Sequence, residues 1–423
     1  MSVLSFPIVD ALSVQTRVRP QRTGSPAMTR YRGGTYSHTV DTVVFTDGSS
    51  ARTDLIRLNP NVEAYSLDFT GLAPTRPSRY RTATFSAVPN LRARAYEAEV
   101  DWIVRNSFPT LGTAELSRRV RAAGYPLGVA NVAEHEAIAA TQAAIWFFTN
   151  GLALDNRPRN VPVAAWPHRD GVTFEFEGEP QLGGYTVELE SDGVVSLTLQ
   201  KSSDGVRWED VAASGLNVGA GTHSRTLGVG STVSSTRSGR NARGYRYYRL
   251  SVVNDRHTRV WVNDVRFRLN GSGVYPNPDR VVHLYNYLVA DAEIARLRTV
   301  EPALVAEGAT AAAGLVGPLR LRATDRAAVT VSDADIVDRA GTELDGPLAP
   351  GAEFYLRPRP GVSEVVLTVS IPADPEGFGG RAVTGVAHDE SNSRLTPVVL
   401  AVPAPRVVEF DIAWADDSAA RYA

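Results

Sequence analysis

Val132-Ala-Glu-His135-Glu-Ala-Ile138-Ala139-Ala-Thr141-Gln142-Ala-Ala-Ile145-Trp146-Phe-Phe-Thr149, followed by Asn150-Gly151, is the stretch on which the fold turns. It holds no proline or glycine before its end. Ile138, Ala139, Gln142, Ile145, Trp146 and Thr149 recur at three- and four-residue spacing, so the stretch predicts a helix over 132–149 with those residues on one face. Asn131 is the expected N-cap and Asn150-Gly151 the stop. The pattern sets the amide of Gln142 inside an apolar stripe, where it must find hydrogen-bond partners or do chemistry.

Upstream of this helix, residues 36–58 alternate polar and apolar around Asp47-Gly48, which predicts a hairpin that includes His38. Ala64-Tyr65-Ser66-Leu67-Asp68-Phe69 predicts another strand, closed by the turn Ala73-Pro-Thr-Arg-Pro-Ser78. Residues 90–124 favour helix, broken at Phe108-Pro109. After Asn156 the pattern turns to short alternating strands, among them Val172-Thr-Phe-Glu-Phe176, Tyr185-Thr-Val-Glu-Leu189 and Tyr245-Arg-Tyr-Tyr-Arg-Leu250, which mark an all-β module. Residues 280–289 predict a short helix foreign to a sandwich, so the first domain is expected to resume there after an insertion. Strands at 319–323, 328–331, 353–357, 363–371 and 396–402 predict a second sandwich.

The chain has 423 residues, 43% hydrophobic and 21% charged, which suits about three folded domains. It has no cysteine, so it offers no disulfide, thiol nucleophile or cysteine metal site. The net charge of -2 argues against a general nucleic-acid or anionic-membrane partner. Residues 301–423 hold 18 acidic and 10 basic side chains. This imbalance reads as separate domains with different surfaces in preference to electrostatic selection of a partner. No apolar run is long enough to span a bilayer, and residues 1–20 lack a signal-peptide pattern, so the chain is expected to be a soluble piece from which signal and anchor are missing. Lys201 is the only lysine.

Familiar catalytic and metal motifs are missing. His135-Glu136 would need a second histidine at 139, where alanine stands, and the histidines at 38, 135, 168, 223, 257, 283 and 388 show no other ligand spacing. The acids at Asp333, Asp335 and Asp338 depart from a calcium loop. No cofactor or metal is expected, and no residue set nominates an enzyme.

Two strings taken together, Ala64-Tyr65-Ser66-Leu67-Asp68-Phe69 leading to Ala73-Pro74-Thr75-Arg76-Pro77, and Thr141-Gln142-Ala143-Ala144-Ile145-Trp146, resemble the thioester domains of Gram-positive surface adhesins. In that family the first string reads Tyr-Cys-aliphatic-Asp and the second Thr-Gln-x-Ala. The resemblance extends to Tyr80, Trp102, Asn106-Ser-Phe-Pro109 and the segment 281–288. It implies a cross-link pair at positions 66 and 142, with Tyr65 and Thr141 as flanking pocket residues, and a single-turnover covalent binder in place of a catalyst. Its partner would be an amine, such as a lysine of a host or surface protein, or another nucleophile.

This chain carries serine at position 66. A hydroxyl ionises far less readily than a thiol of pKa about 8.5, and an oxoester acylates amines more slowly than a thioester. A chemically silent Cys-to-Ser variant is the favoured account, with a slow Ser66–Gln142 ester or an ordinary buried amide as the alternatives.

Leu197-Thr-Leu-Gln-Lys201-Ser-Ser-Asp204-Gly205-Val-Arg-Trp208 and Tyr245-Arg-Tyr-Tyr248-Arg249 resemble the discoidin-type sandwich, which implies a glycan as a second partner class; a rigid insertion is the equal alternative. Trp208 and Arg249 are expected in its core. The last part, with Gly314-Leu-Val-Gly317-Pro-Leu-Arg-Leu321, is similar to immunoglobulin-like stalk domains; having no lysine, it cannot form their Lys–Asn isopeptide link.

The expectation is therefore a mixed, mainly β protein. It comprises an N-terminal extension (1–28), an α+β thioester-type domain (29–160 and 271–300), an inserted discoidin-like β-sandwich (161–270) and an Ig-like β-sandwich stalk (301–423). It is expected to be the ectodomain of a secreted, cell-wall-anchored adhesin that binds covalently, or else a noncovalent glycan-binding surface module.

Overall fold

The computed structural model describes residues 12–17, 28–35, 41–59, 61–70, 79–83, 85, 88, 90–234, 243–254, 258–271, 273–372, 381–389 and 394–414. His38, the turn at 73–78, His257 and most of the expected N-terminal extension lie outside them. The chain divides into two compact units, Met1–Leu154 with His283–Ala423, and Asp155–Val282. Strands dominate both, and the α-helices fall in 91–150 and 279–298.

The first unit holds a closed six-stranded barrel. Its order is Met28–Thr35, Ile56–Asn59, Val62–Ser66, Arg394–Ala404, Arg381–Asp389 and Arg79–Ala83. Alternation along these strands turns Leu58, Ala64, Tyr80, Val398 and Leu400 into a common interior from which water is excluded. Two of the strands come from the far end of the chain. The strand expected at 396–402 in the second sandwich instead pairs with the strand of Ser66, with Val398 opposite Ser66 and Leu400 opposite Ala64.

Helices cover this barrel. Helix α1 (Leu91–Ala95) starts on Asn90, whose side chain accepts from the Arg92 and Ala93 amides. Helix α2 (Glu97–Arg105) buries Val100, Ile103 and Val104 and lies against the two far-end strands. Its Asp101 and Arg105 form an ion pair at 2.6 Å that is itself buried. Helix α3 (Thr113–Ala122) follows the break at Phe108-Pro109. Helix α4 (Glu134–Asn150) is the expected central helix and stops at Gly151, whose φ of 74° is left-handed.

The start of α4 differs from expectation. Ala133 is the N-cap, and the Glu136 carboxylate accepts its amide at 2.8 Å, while the Asn131 side chain instead accepts from the Arg121 guanidinium. Helix α5 (Asp279–Arg298) is twice the expected length, because Ala290, Ala292, Glu293, Ala295, Arg296 and Leu297 extend a helix-favouring run. Its Tyr287 ring meets Trp102, and its Tyr285 hydroxyl accepts the Leu154 amide.

The same unit contains a β-sandwich. One sheet runs Ser13–Arg17, Arg406–Ala413, Glu364–Ile371 and Ala328–Val331; the other runs Ala303–Val305, Leu315–Arg322, Glu353–Pro358 and Ala334–Val337, with Thr310–Ala312 paired to Leu315–Arg322. Leu319, Phe354, Leu356, Leu367 and Ile412 fill the space between them. The boundaries expected from sequence thus need revision. Residues 13–17 complete this sandwich, and 381–404 leave it for the barrel, because alternation fixes which face of a strand is buried but not which neighbour it takes.

The Asp155–Val282 unit is a two-sheet sandwich. Gly221–Thr226, Leu182–Ser191 and Val260–Leu269 make one sheet; Glu209–Asp210, Val195–Ser202, Tyr247–Val253, Gly171–Glu175 and Ala164–His168 make the other. Phe176, Val187, Leu199, Tyr248 and Leu250 form its core. Asp204 accepts the Val206 and Arg207 amides, which holds its carboxyl below the usual range, and Gly205 completes the turn with φ 71°. Trp208 and Arg249 are half-buried and stack, guanidinium over ring at 4.4 Å, instead of lying deep in the core.

Gly171 has φ 144°, and a Cβ there would fall 1.9 Å from the Leu250 carbonyl oxygen across the sheet. Gly171→Ala is expected to destabilise this unit by about 3 kcal/mol or more, read by urea denaturation followed through its tryptophans.

Candidate functional site

Ser66 ends its strand, and Gln142 stands on the buried face of α4; the structure brings the two together. The Ser66 amide donates to Gln142 Oε1 at 2.9 Å, and Gln142 Nε2 donates to the Ser66 carbonyl at 2.9 Å. Ile56–Asn59 pairs with this strand only as far as Ala64, and beyond that point the Gln142 side chain satisfies the backbone as a neighbouring strand would. On the other side stands Val398. Gln142 is 1% exposed, and Ser66 is half-buried.

Within this pair, the amide carbon of Gln142 is held with its oxygen against an N–H donor and its nitrogen against a carbonyl acceptor. That arrangement polarises the carbonyl and fixes the orientation of both amide atoms. The Ser66 hydroxyl donates to the Asp68 carbonyl at 2.9 Å and accepts the Asp68 amide at 3.3 Å. Among the described residues its partners are these two backbone atoms, so no side chain is bonded to it that would take its proton.

Tyr65 and Thr141 are both fully buried. Strand alternation sends Tyr65 to the face opposite Ser66, where its hydroxyl donates to the Phe108 carbonyl at 2.7 Å and burial pushes its pKa upward. The Thr141 hydroxyl donates back to the Ala137 carbonyl at 2.7 Å. Tyr65 thus ties its strand to the Phe108-Pro109 segment, and the Thr141 bond stays within α4. Nearby carboxyls at Glu63 and Asp41 are pushed upward by burial, opposed by Arg57 and His135 respectively. His135 itself stands 3.8 Å from Asp41.

Sequence reasoning put Trp146 on the face of Gln142 but missed what it meets, and read Asn150 only as the helix stop. Trp146 and Asn150 succeed Gln142 at four-residue spacing, and the chain after Ser66 runs along them. The Phe69 amide donates to Asn150 Oδ1 at 3.2 Å, and the Phe69 ring meets Trp146 edge to face, centroids 5.3 Å apart. Phe45 closes the cluster at 5.6 Å from Phe69 and 6.3 Å from Trp146. The four-residue spacing was the available signal. Lys201, the one lysine, donates to the Ser231 carbonyl at 3.0 Å and lies over the Tyr245 ring.

Residues 63–169, which span Ser66 and Gln142, match the thioester domain family model. Among solved structures the chain is similar to the thioester domain of the Enterococcus faecium TIE86 protein, at 9% identity over 94% of this chain and 99% of that one, with a TM-score of 0.35. It is similar to the Bacillus anthracis TIE protein at 12% identity over 90% of this chain and 47% of that one, TM-score 0.36. A third similarity is to CpGH89CBM32-6 produced by Clostridium perfringens, at 12% identity over 27% of this chain and 82% of that one, TM-score 0.18. No curated protein matches the chain. The protein is thus mainly β, with a segment that matches the thioester-domain family carrying the Ser66–Gln142 pair.

Proposed function

We propose that this chain is part of a secreted, cell-wall-anchored bacterial adhesin whose thioester-type site is built for covalent capture of an amine on a host or surface protein and is silenced by serine at position 66. The observation that carries this reading is the pair of hydrogen bonds between the Gln142 amide and the Ser66 backbone. They place the acyl group beside the position where the family carries cysteine. With a thiol there, sulfur would attack the Gln142 amide carbon, the C–N bond would break, and the nitrogen would leave as ammonia with the thiol proton. A target amine would then displace the sulfur, forming an amide and returning the thiol. Each site acts once, and covalent attachment removes the off-rate that limits residence time.

Ser66→Cys tests this. The Ser66 protein is expected at full mass with and without methylamine; the Ser66→Cys protein is expected to be lighter by one ammonia and to take up one methylamine, both by intact mass spectrometry. A folded Ser66→Cys protein at full mass would refute the reading, and a Ser66 protein lighter by one ammonia would show an ester in place of a silent site.

A second reading, noncovalent glycan binding by the Asp155–Val282 unit, has one observation in its favour. That unit carries a cavity of about 720 Å³ lined by Arg157, Arg159, Glu177, Glu179, Arg243 and Asn270 among others. Such a role would survive Gln142→Ala.

A further inference from the structure

The indole of Trp146 is 6% exposed, and its Nε1–H makes no hydrogen bond among the described residues. Buried donors are nearly always paired, and one left open needs a reason. Trp146 follows Gln142 by one helical turn on the same face, within neighbour distance of it. Its ring is fixed by Phe45 and Phe69, and Phe69 is tied in turn to Asn150 through its amide. The donor therefore sits on a braced ring in the row that faces the reactive segment, and it holds no partner at rest.

The reaction proposed above supplies one. When an amine attacks the acyl carbon of Gln142, the carbonyl electron pair moves onto Oε1. That oxygen already accepts the Ser66 amide at 2.9 Å, and the charge that develops on it calls for a second donor. We infer that Trp146 Nε1–H is that donor, a catalytic residue that completes an oxyanion site with the Ser66 amide during formation and opening of the cross-link. As the tetrahedral species collapses, the C–S bond breaks, sulfur leaves with the bonding pair, and the amine proton passes to it.

This rests on the thioester reading, and the experiment separates the two. In the Ser66→Cys background, absence of a mass loss would defeat the thioester reading itself. Where the thioester forms, Trp146→Phe, which keeps a ring and removes the N–H, is expected to slow methylamine opening about 100-fold. Trp102→Phe, which removes an indole N–H from helix α2 outside this row, should stay within about threefold of the parent, since it removes no transition-state contact. Equal rates for the Trp146→Phe and parent proteins, or equal slowing in both variants, would overturn the inference. If Trp146→Phe does not fold, the Ser66→Cys protein carrying 3-benzothienylalanine at position 146, which keeps the bicyclic ring and replaces the N–H by sulfur, decides: methylamine opening must slow about 100-fold, and an unchanged rate overturns the inference.

Discussion

A chain ended after Pro372 is expected to lose the barrel and the sandwich of the first unit together, while the Asp155–Val282 unit stays folded. The cut removes Arg381–Asp389 and Arg394–Ala404 from the barrel and Arg406–Ala413 from the middle of a four-stranded sheet. With them go Val398, Leu400, Phe410 and Ile412, all essentially unexposed. At about 1.5–3 kcal/mol for each such side chain, the loss is comparable to the roughly 5–15 kcal/mol that holds a whole domain together. The open edges left on Val62–Ser66 and Arg79–Ala83 would also invite aggregation. Limited proteolysis with mass mapping checks this: cleavage should spread through the Ser66 strand and α4 and spare residues 164–269. A detachable stalk at 301–423 would predict the opposite, with the Ser66 strand protected.

Asp101→Ala is the most disruptive single substitution to expect in the helical layer. The Arg105 side chain is among the largest that are fully buried, and Asp101 Oδ2 accepts from its Nε at 2.9 Å and Nη2 at 2.6 Å. Removing the carboxylate takes away the counter-charge facing a guanidinium that is held from water. Breaking a buried pair on one side costs about 3–5 kcal/mol, whereas replacing both partners by apolar groups of similar volume is often close to neutral. Urea denaturation should therefore show a large fall in midpoint for Asp101→Ala and recovery of most of it in the double variant Asp101→Leu, Arg105→Met. Equal loss in both would mean that packing volume, and not the unpaired charge, sets the cost.

The parts of this fold that could be read from sequence are those fixed locally. Spacing over 132–149 gave α4 and the buried amide of Gln142, and Gly151 marked its end because only a residue tolerant of positive φ fits there. Alternation after Asn156 gave the inserted sandwich. The N-cap of α4 was misplaced because Glu136 caps Ala133 through a carboxylate three residues inside the helix, a bond that a search for a capping side chain at the boundary passes over.

The exchanged strands escaped because pairing is not a local property. Thr396 to Val402 read correctly as a strand, but nothing in an alternating pattern says that Val398 should lie opposite Ser66 and not join the sandwich of its chain neighbours. At the site, the residues at 66 and 142 could be named from their resemblance, whereas the way the Gln142 amide completes a strand edge needed coordinates. Tyr65 and Thr141 adjoin the pair in sequence, yet their hydroxyls are spent on the Phe108 and Ala137 carbonyls.

The strand exchange also sets an order of events during biosynthesis. Ser13 pairs with Ala413, and Ser66 lies opposite Val398, so neither layer of the first unit can close until residues 394–413 have been made. Pairings of such separation form late, after local structure, and the Asp155–Val282 unit, whose strands are near neighbours in the chain, is free to fold ahead of them. The strand carrying position 66 consequently stays without its outer neighbour until residues 394–404 have been made. In a relative with cysteine there, the timing of this pairing would act as a clock, keeping the electrophile from maturing before both layers of the first unit have closed.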